Sequence, residues 1–508
     1  MYNVRLKFMV SSGPLNARSS SNGRKSVTTI SLLAAGKAGQ MAGSLVALRL
    51  MTSLMTPMAV ATVSQFNSIG ALVYGLLGYP VTTYFMRHQQ EWMAEGSLGR
   101  HLASYARYTF SLGLAAGLLF LVVQLFYPVV TGASPAECGI IVAVLCVSLT
   151  FFAMGTNGLN VLSRRNAYVL FLNLGAWAAP AFATALFIWI TRSPVTWSLG
   201  MAIGQGLGAI SFAILIVLGS RNRSSAHPQL NLRLIFNFAS AQTVSFVFWW
   251  AQSQSYRFTL GGLGLANTVG LLAAAQMITS KLTQAFSSVL GDYFTPRIMS
   301  HEGSKEESLS NFVDAMIPAV IFFGFILIGM GPELVQLFLG IRFQTVTRFI
   351  SISAALDTMW GIYNVLYYVC ISRIDIRPTI WTMLIGSICT MALVPMLAIS
   401  WSPLWGTLLA MGVGYSAMGA SSLYFISRVT TISWRRILCA ILLGIFAMIP
   451  VITVGQRNLG ILADVAIILI LGLFFIAGEI FLARSWLTPP PKIDVNVATF
   501  VNSKIPQA

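Results

Sequence analysis

Polar side chains recur at helical spacing inside segments that are otherwise apolar. In "SLLAAGKAGQMAGSLVALRL" (Ser31–Leu50), Lys37, Gln40 and Ser44 fall at i, i+3 and i+7, on one helix face. Gln242, Ser245, Trp249, Gln252 and Tyr256 repeat the spacing further on, and Lys281, Gln284 and Ser288 do so again. Gln65 and Ser68 add a shorter stripe. An ammonium is a point charge suited to a phosphate-like anion, and amides, hydroxyls and indoles suit sugar hydroxyls and ring faces. Two plainer readings stay open. Polar stripes also hydrogen-bond between helices, and Lys37, about 15 Å into its segment, can snorkel to an interface.

Asp357 is the one carboxylate deep within an apolar run, on a stripe with Ser353, Trp360 and Asn364. Such a group can carry a proton or, with Asn364 and a carbonyl, bind Na⁺; a structural ion pair is the rival reading. Asp314 and Glu479 fall near segment ends and read as interfacial. Arg49 and Arg257 mark segment ends, as gates, phosphate contacts or plain anchors. Pro80, Pro180, Pro318 and Pro395 interrupt apolar runs and predict kinks. No Ser/His/Asp constellation, metal-ligand spacing or phosphate-binding glycine loop is present, so neither an enzyme nor a bound cofactor is expected. The glycines of "GQGLG" (Gly204–Gly208) read as helix-packing contacts, and the five cysteines as small core residues.

The elements that must position these residues are membrane spans. The chain is 56% hydrophobic and only 9% charged, with apolar runs of span length along nearly all of it. This predicts an all-α polytopic membrane protein, not a β-barrel. Fourteen spans are expected, near 27–49, 59–85, 109–130, 139–162, 167–190, 197–219, 235–256, 263–290, 312–338, 349–371, 379–400, 404–427, 437–455 and 460–482. The net charge of +17 points to loop placement, not to nucleic acid. With the N-terminus inside, 23 Lys and Arg fall on the cytoplasmic side and six outside, which predicts that both termini are cytoplasmic. The domains are then a tail (1–26), a six-helix lobe (27–220), a linker (221–234), a second lobe (235–428), two further helices (429–484) and a tail (485–508).

The lobes read as an internal repeat. At an offset of 208, Trp197, Ala202, Gly204, Gly206 and Ala209 match Trp405, Ala410, Gly412, Gly414 and Ala417. Arg49 matches Arg257 at the same offset. Six spans per half give parallel repeats, with a substrate path expected between the halves.

"ALRLMTSLMTPMAVATVSQF" (Ala47–Phe66), "YFMRH" (Tyr84–His88), "NVLSRRNAYVLFLNLGAW" (Asn160–Trp177) and "NVLYYVCISRIDIRPTIW" (Asn364–Trp381) together resemble a known family. It is the polysaccharide-transporter branch, with O-antigen and exopolysaccharide flippases, of the multidrug/oligosaccharidyl-lipid/polysaccharide exporter superfamily. "TPMAV" (Thr56–Val60) keeps only the proline of an element frequent in that branch. The resemblance implies a V-shaped, two-lobed transporter moving a polyprenyl-pyrophosphate-linked oligosaccharide across the bacterial inner membrane by alternating access. Polysaccharide polymerase and glycosyltransferase partners would accompany it, with a proton or Na⁺ as counter-ion. It implies a cavity lined by Lys37, Gln40, Ser44, Gln65, Gln242, Trp249, Gln252, Arg257, Lys281 and Gln284. Asp357 and Asn364 are the candidates for cation coupling. The alternatives are a multidrug exporter of the same superfamily, a lipid II flippase and, further off, a membrane glycan polymerase or ligase.

Overall fold

The structure, a computed structural model, describes residues 19–162, 164–220, 232–299, 305–373, 377–430 and 432–455. The expected last span (460–482), most of both tails and nearly all of the 221–234 linker lie outside them.

The described residues are helical, without strands. The first eight helices are α1 (Ser19–Leu54), α2 (Pro57–Ala94), α3 (Leu98–Phe126), α4 (Pro135–Val161), α5 (Arg165–Trp189), α6 (Pro194–Leu218), α7 (Leu232–Gly262) and α8 (Ala266–Met299). Then come α9 (Lys305–Gly329), α10 (Gly331–Phe338), a 3₁₀ segment (Ile341–Arg348), α11 (Ile350–Arg373), α12 (Arg377–Ser400), α13 (Pro403–Val429) and α14 (Trp434–Gly455). Eight of the described helices are long and apolar enough to cross a membrane; a ninth is added if the 3₁₀ segment and α11, bent by 67°, count as one span.

Local chemistry sets the helix ends. Ser134, Ser193 and Ser402 each cap a helix, with proline in the first turn and the serine side chain accepting an N–H from Glu137, Thr196 and Trp405. Gly96, Gly132 and Gly264 take positive φ in the turns. In α2, one π-helical turn (Tyr74–Gly78) precedes Pro80. A proline cannot donate to the carbonyl four residues back and clashes with it, and a widened turn relieves both faults.

The expected ninth span (312–338) is two elements. α9 stops at Gly329, and "MGPEL" restarts the chain as α10, with Pro332 in its first turn. The expected tail 1–26 likewise gives up its last residues to α1.

The helices form two compact units: one of residues 1–47, 69–126 and 133–239, the other of 48–68, 127–132 and 240–508. The division departs from the repeat boundary, because 48–68 and 127–132 pack with the second unit. In the first unit, Phe85, Trp92, Leu98, Leu102, Tyr105 and Phe212 form a core. Gly36, Gly39 and Gly43 bring α1 against Val169, Asn173 and Ala176 of α5, and Asn173 Nδ2 donates to Gly36 O at 3.2 Å. This small-residue face is the close-approach signal of membrane helices. In the second unit, Phe312, Val313, Met316, Val365, Leu366 and Ile426 form the core. There α14 packs on α9, with Gly444 against Phe325. Asp314 of α9 accepts Ser433 N–H at 2.9 Å and pairs with Arg436 at 3.9 Å.

Candidate functional site: a buried polar network around Arg257 and Asp357

The second unit holds a hydrogen-bonded network between α7, α8, α11, α13 and residues 64–68 of α2. Its centre is Arg257. Sequence reading puts Arg257 at the end of a span, but α7 continues to Gly262 and Arg257 is only 5% exposed. Its guanidinium donates to Ser68 Oγ (2.7 Å), Gln276 Oε1 (3.0 Å), the Tyr256 hydroxyl (3.2 Å) and Ser64 O (3.3 Å). Among the described residues no carboxylate lies within ion-pairing distance of it. Neutral dipoles therefore hold the charge, using most of the five donors of an arginine.

Gln65, fully buried, locks the same junction. Its Nε2 donates to Arg257 O at 3.1 Å and its Oε1 accepts Thr131 N–H at 2.9 Å. Ser68 Oγ donates to Gln254 Oε1 at 2.9 Å, and Trp250 Nε1 donates to Ser68 O at 2.7 Å. The Tyr256 hydroxyl donates to Gln276 Oε1 at 3.1 Å. Arg49 is a separate bolt in this unit. It donates to Leu339 O and, at 3.2 Å, to Gln336 O, carbonyls at the C-terminal end of α10, where a cation is favoured.

Asp357, 4% exposed on α11, accepts a hydrogen bond from Thr279 Oγ1 of α8. Thr279 Oγ1 is also 3.3 Å from Ser353 Oγ, one turn before Asp357. Tyr415 of α13 is buried beside Gln276 and within electrostatic reach of both Asp357 and Arg257. A cation and an anion thus sit in two hydrogen-bonded clusters of one unit, with Tyr415 within electrostatic reach of both. Asp357, Thr279 and Ser353 converge as oxygen donors, the set that a hard cation or a proton requires. Asn364 does not join them. Seven residues along a helix is about 10.5 Å, too far for both side chains to hold one ion.

The remaining predicted residues divide by surroundings. Lys281 and Gln284 are exposed on α8, whose Ile278, Thr279 and Thr283 are buried. Gln242 is half-buried with its Oε1 unbonded, and Gln252 is 1% exposed with neither amide atom bonded, among the described residues. Trp249 is half-buried, its ring 5.7 Å from that of Trp360. In the first unit, Lys37 is half-buried with its Nζ 5.8 Å from the ring centroid of Tyr168. Residues 37–54 of α1 rise about 25 Å, nearly the roughly 30 Å of a hydrocarbon core, so a helix that reaches one surface at Leu54 carries Lys37 close to the other. Gln40 is half-buried, and Ser44 Oγ donates back to Gln40 O at 3.0 Å, within its own helix. Sequence reading missed Ser64, Gln254, Thr279 and Tyr415; each pairs across helices, which a single-helix stripe does not display.

No family model matches the chain. C4-dicarboxylate transport proteins of Xylella fastidiosa strains M23 and M12 are 26% and 27% identical to it over 163 and 164 residues, 31% of this chain. The chain matches 35% of the length of these curated relatives. Solved structures match far more of it. The inward closed conformation of the lipid II flippase MurJ superposes with a TM-score of 0.65 at 14% identity, over 89% of this chain and 98% of that one. The inward-facing conformation of a multidrug resistance MATE family transporter of the MOP superfamily gives 0.56 at 14% identity, over 77% and 94%. An outward-facing conformation of such a MATE transporter gives 0.54 at 14% identity, over 79% and 95%. A fold that spans nearly all of those chains outweighs a match to a third of a dicarboxylate carrier, and this chain has the helical fold shared by the lipid II flippase MurJ and the MATE transporters.

Proposed function

We propose that the chain is a flippase of the bacterial inner membrane, with both termini cytoplasmic, that translocates a polyprenyl-pyrophosphate-linked oligosaccharide by alternating access. The observation that carries this reading is coverage. The lipid II flippase accounts for 89% of the chain, whereas the MATE transporters leave about a fifth of it or more unmatched. The charges favour the same choice over export of cationic drugs. Lys281 is accessible, whereas Asp357 and Glu333, the buried acids among the described residues, are 4% and 2% exposed. An anionic pyrophosphate suits such a balance. The many amides, hydroxyls and indoles suit a glycan, in keeping with an O-antigen, exopolysaccharide or capsule precursor as substrate.

Coupling is assigned to Asp357 with Thr279 and Ser353. Binding a proton or Na⁺ there changes the charge facing Tyr415, Gln276 and Arg257, and so the network joining residues 64–68 to α7 and α8. The test is reconstitution in liposomes with a fluorescent polyprenyl-pyrophosphate oligosaccharide. Protein-dependent loss of that lipid from the inner leaflet is expected; translocation no faster than in empty liposomes, together with export of a cationic dye, would instead support the exporter.

A further inference from the structure

α7 and α11 build an aromatic ladder in the second unit. The Phe246 and Trp249 rings lie 4.8 Å apart, Trp249 and Trp360 5.7 Å, and Trp360 and Tyr363 5.0 Å, the last pair stacked at 24°. The ladder has a fixed foot, since Tyr363 is buried with its hydroxyl 3.2 Å from Ser245 Oγ.

The two tryptophans differ from their neighbour. The Trp250 indole N–H is bonded to Ser68 O at 2.7 Å. Trp249 and Trp360 are only half-buried, and their indole N–H groups make no hydrogen bond among the described residues. An indole placed this way leaves part of its apolar ring open and a free donor at its edge.

Polar groups lie on the same helices. Gln252, three residues after Trp249, is buried with its amide packed against Gly386 of α12, and Gln242 Oε1 is unbonded two turns before Trp249, among the described residues. Asp357 and Asn364 flank Trp360 on the same helix. A stripe that carries a carboxylate and an amide does not face hydrocarbon, so lipid tails are not the natural occupant. A pyranose ring fits instead. Its C–H face is apolar and flat, and its rim carries hydroxyls that both donate and accept.

We propose that Trp249 and Trp360 form a sugar-stacking subsite for the glycan part of the substrate. The proposal rests on the lipid-linked oligosaccharide reading above and narrows it. Recognition here is by the face of an uncharged pyranose, separate from the cations that meet the pyrophosphate.

The experiment measures binding to the purified full-length protein with two probes. One is the oligosaccharide released by mild acid from the cell's own lipid-linked pool; the other is polyprenyl pyrophosphate without sugar. The Trp249→Ala/Trp360→Ala protein is expected to bind the free oligosaccharide about tenfold more weakly. The Trp249→Phe/Trp360→Phe protein, which keeps an aromatic face, should stay within about threefold of wild type. Neither pair should alter binding of the sugar-free carrier. Wild-type affinity for the oligosaccharide in the alanine pair overturns the subsite, as does equal loss of both probes. Tryptophan-dependent sugar binding without translocation defeats the flippase reading and leaves the subsite standing; translocation indifferent to both tryptophans defeats the subsite alone.

Discussion

Alanine at Gly204 and alanine at Gly412 are predicted to shift stability in opposite directions, although the sequence repeat makes the two positions equivalent. A Cβ on Gly204 would lie 2.4 Å from Ala179 Cα, 2.5 Å from Ala179 N and 2.6 Å from the Ala178 carbonyl carbon. All three are backbone atoms of α5, so no side-chain rotation clears them. Ordinary van der Waals contact begins near 3.4 Å. α5 and α6, which pack along their length, must therefore part by about 1 Å at this level in an interior that is otherwise close-packed. Overpacking of that size costs roughly 1–3 kcal/mol. At Gly412 nothing lies within 4 Å of the added carbon. Alanine there loses less backbone entropy on folding and gains up to about 1 kcal/mol. Thermal unfolding of the purified single variants, followed by tryptophan emission, should show Gly204→Ala several degrees below wild type and Gly412→Ala at or above it. Equal shifts of the same sign, or an unperturbed Gly204→Ala, would refute the packing argument.

Other perturbations test the site. Asp357→Asn should abolish the dependence of transport on an imposed ion gradient at normal protein levels, Thr279→Val should weaken it, and Asn364→Ala should leave it intact; flux under proton and Na⁺ gradients separates the three. Arg257→Met removes four hydrogen bonds to a charged donor, each worth about 1.5–3 kcal/mol, but also relieves the desolvation of an unpaired cation. A net loss of about 2 kcal/mol is expected in denaturant unfolding, with lost coupling even where the protein folds. Arg49→Ala uncaps α10 at a cost of about 1 kcal/mol, and faster hydrogen exchange confined to residues 331–349 would report it. Lys281→Gln should weaken binding of the sugar-free polyprenyl pyrophosphate and flatten its salt dependence.

Helix positions were legible where a long apolar run is closed by charge or opened by a Ser-Pro cap, as Ser193-Pro194 opens α6 and Ser402-Pro403 opens α13. The break at Met330 was not legible to a hydropathy count, since "LIGMGPELVQLF" stays apolar across it; the Gly-Pro pair was the signal. At the site, residue types were readable and partners were not. Gln65, Arg257 and Asp357 declare themselves as costly groups in apolar surroundings. Their bonds to Gln276, Thr131 and Thr279 depend on how each helix is rotated against its neighbours, which one strand of text does not carry. The stripe through Lys37 drew attention to polarity, yet the neighbouring glycines, 36, 39 and 43, are what seat α1 on α5.

The widened turn at Tyr74–Gly78 also sets a phase. A π turn takes up one residue more than an α turn, so every side chain after it is rotated by about 100° from where an unbroken α-helix would put it. Phe85, Gln89 and Trp92, all buried after the turn, hold their places with that rotation included. Removing one residue from 74–78 would return α2 to a plain α-helix and turn Phe85, Gln89 and Trp92 out of their core together, while the Arg257 junction stayed in place.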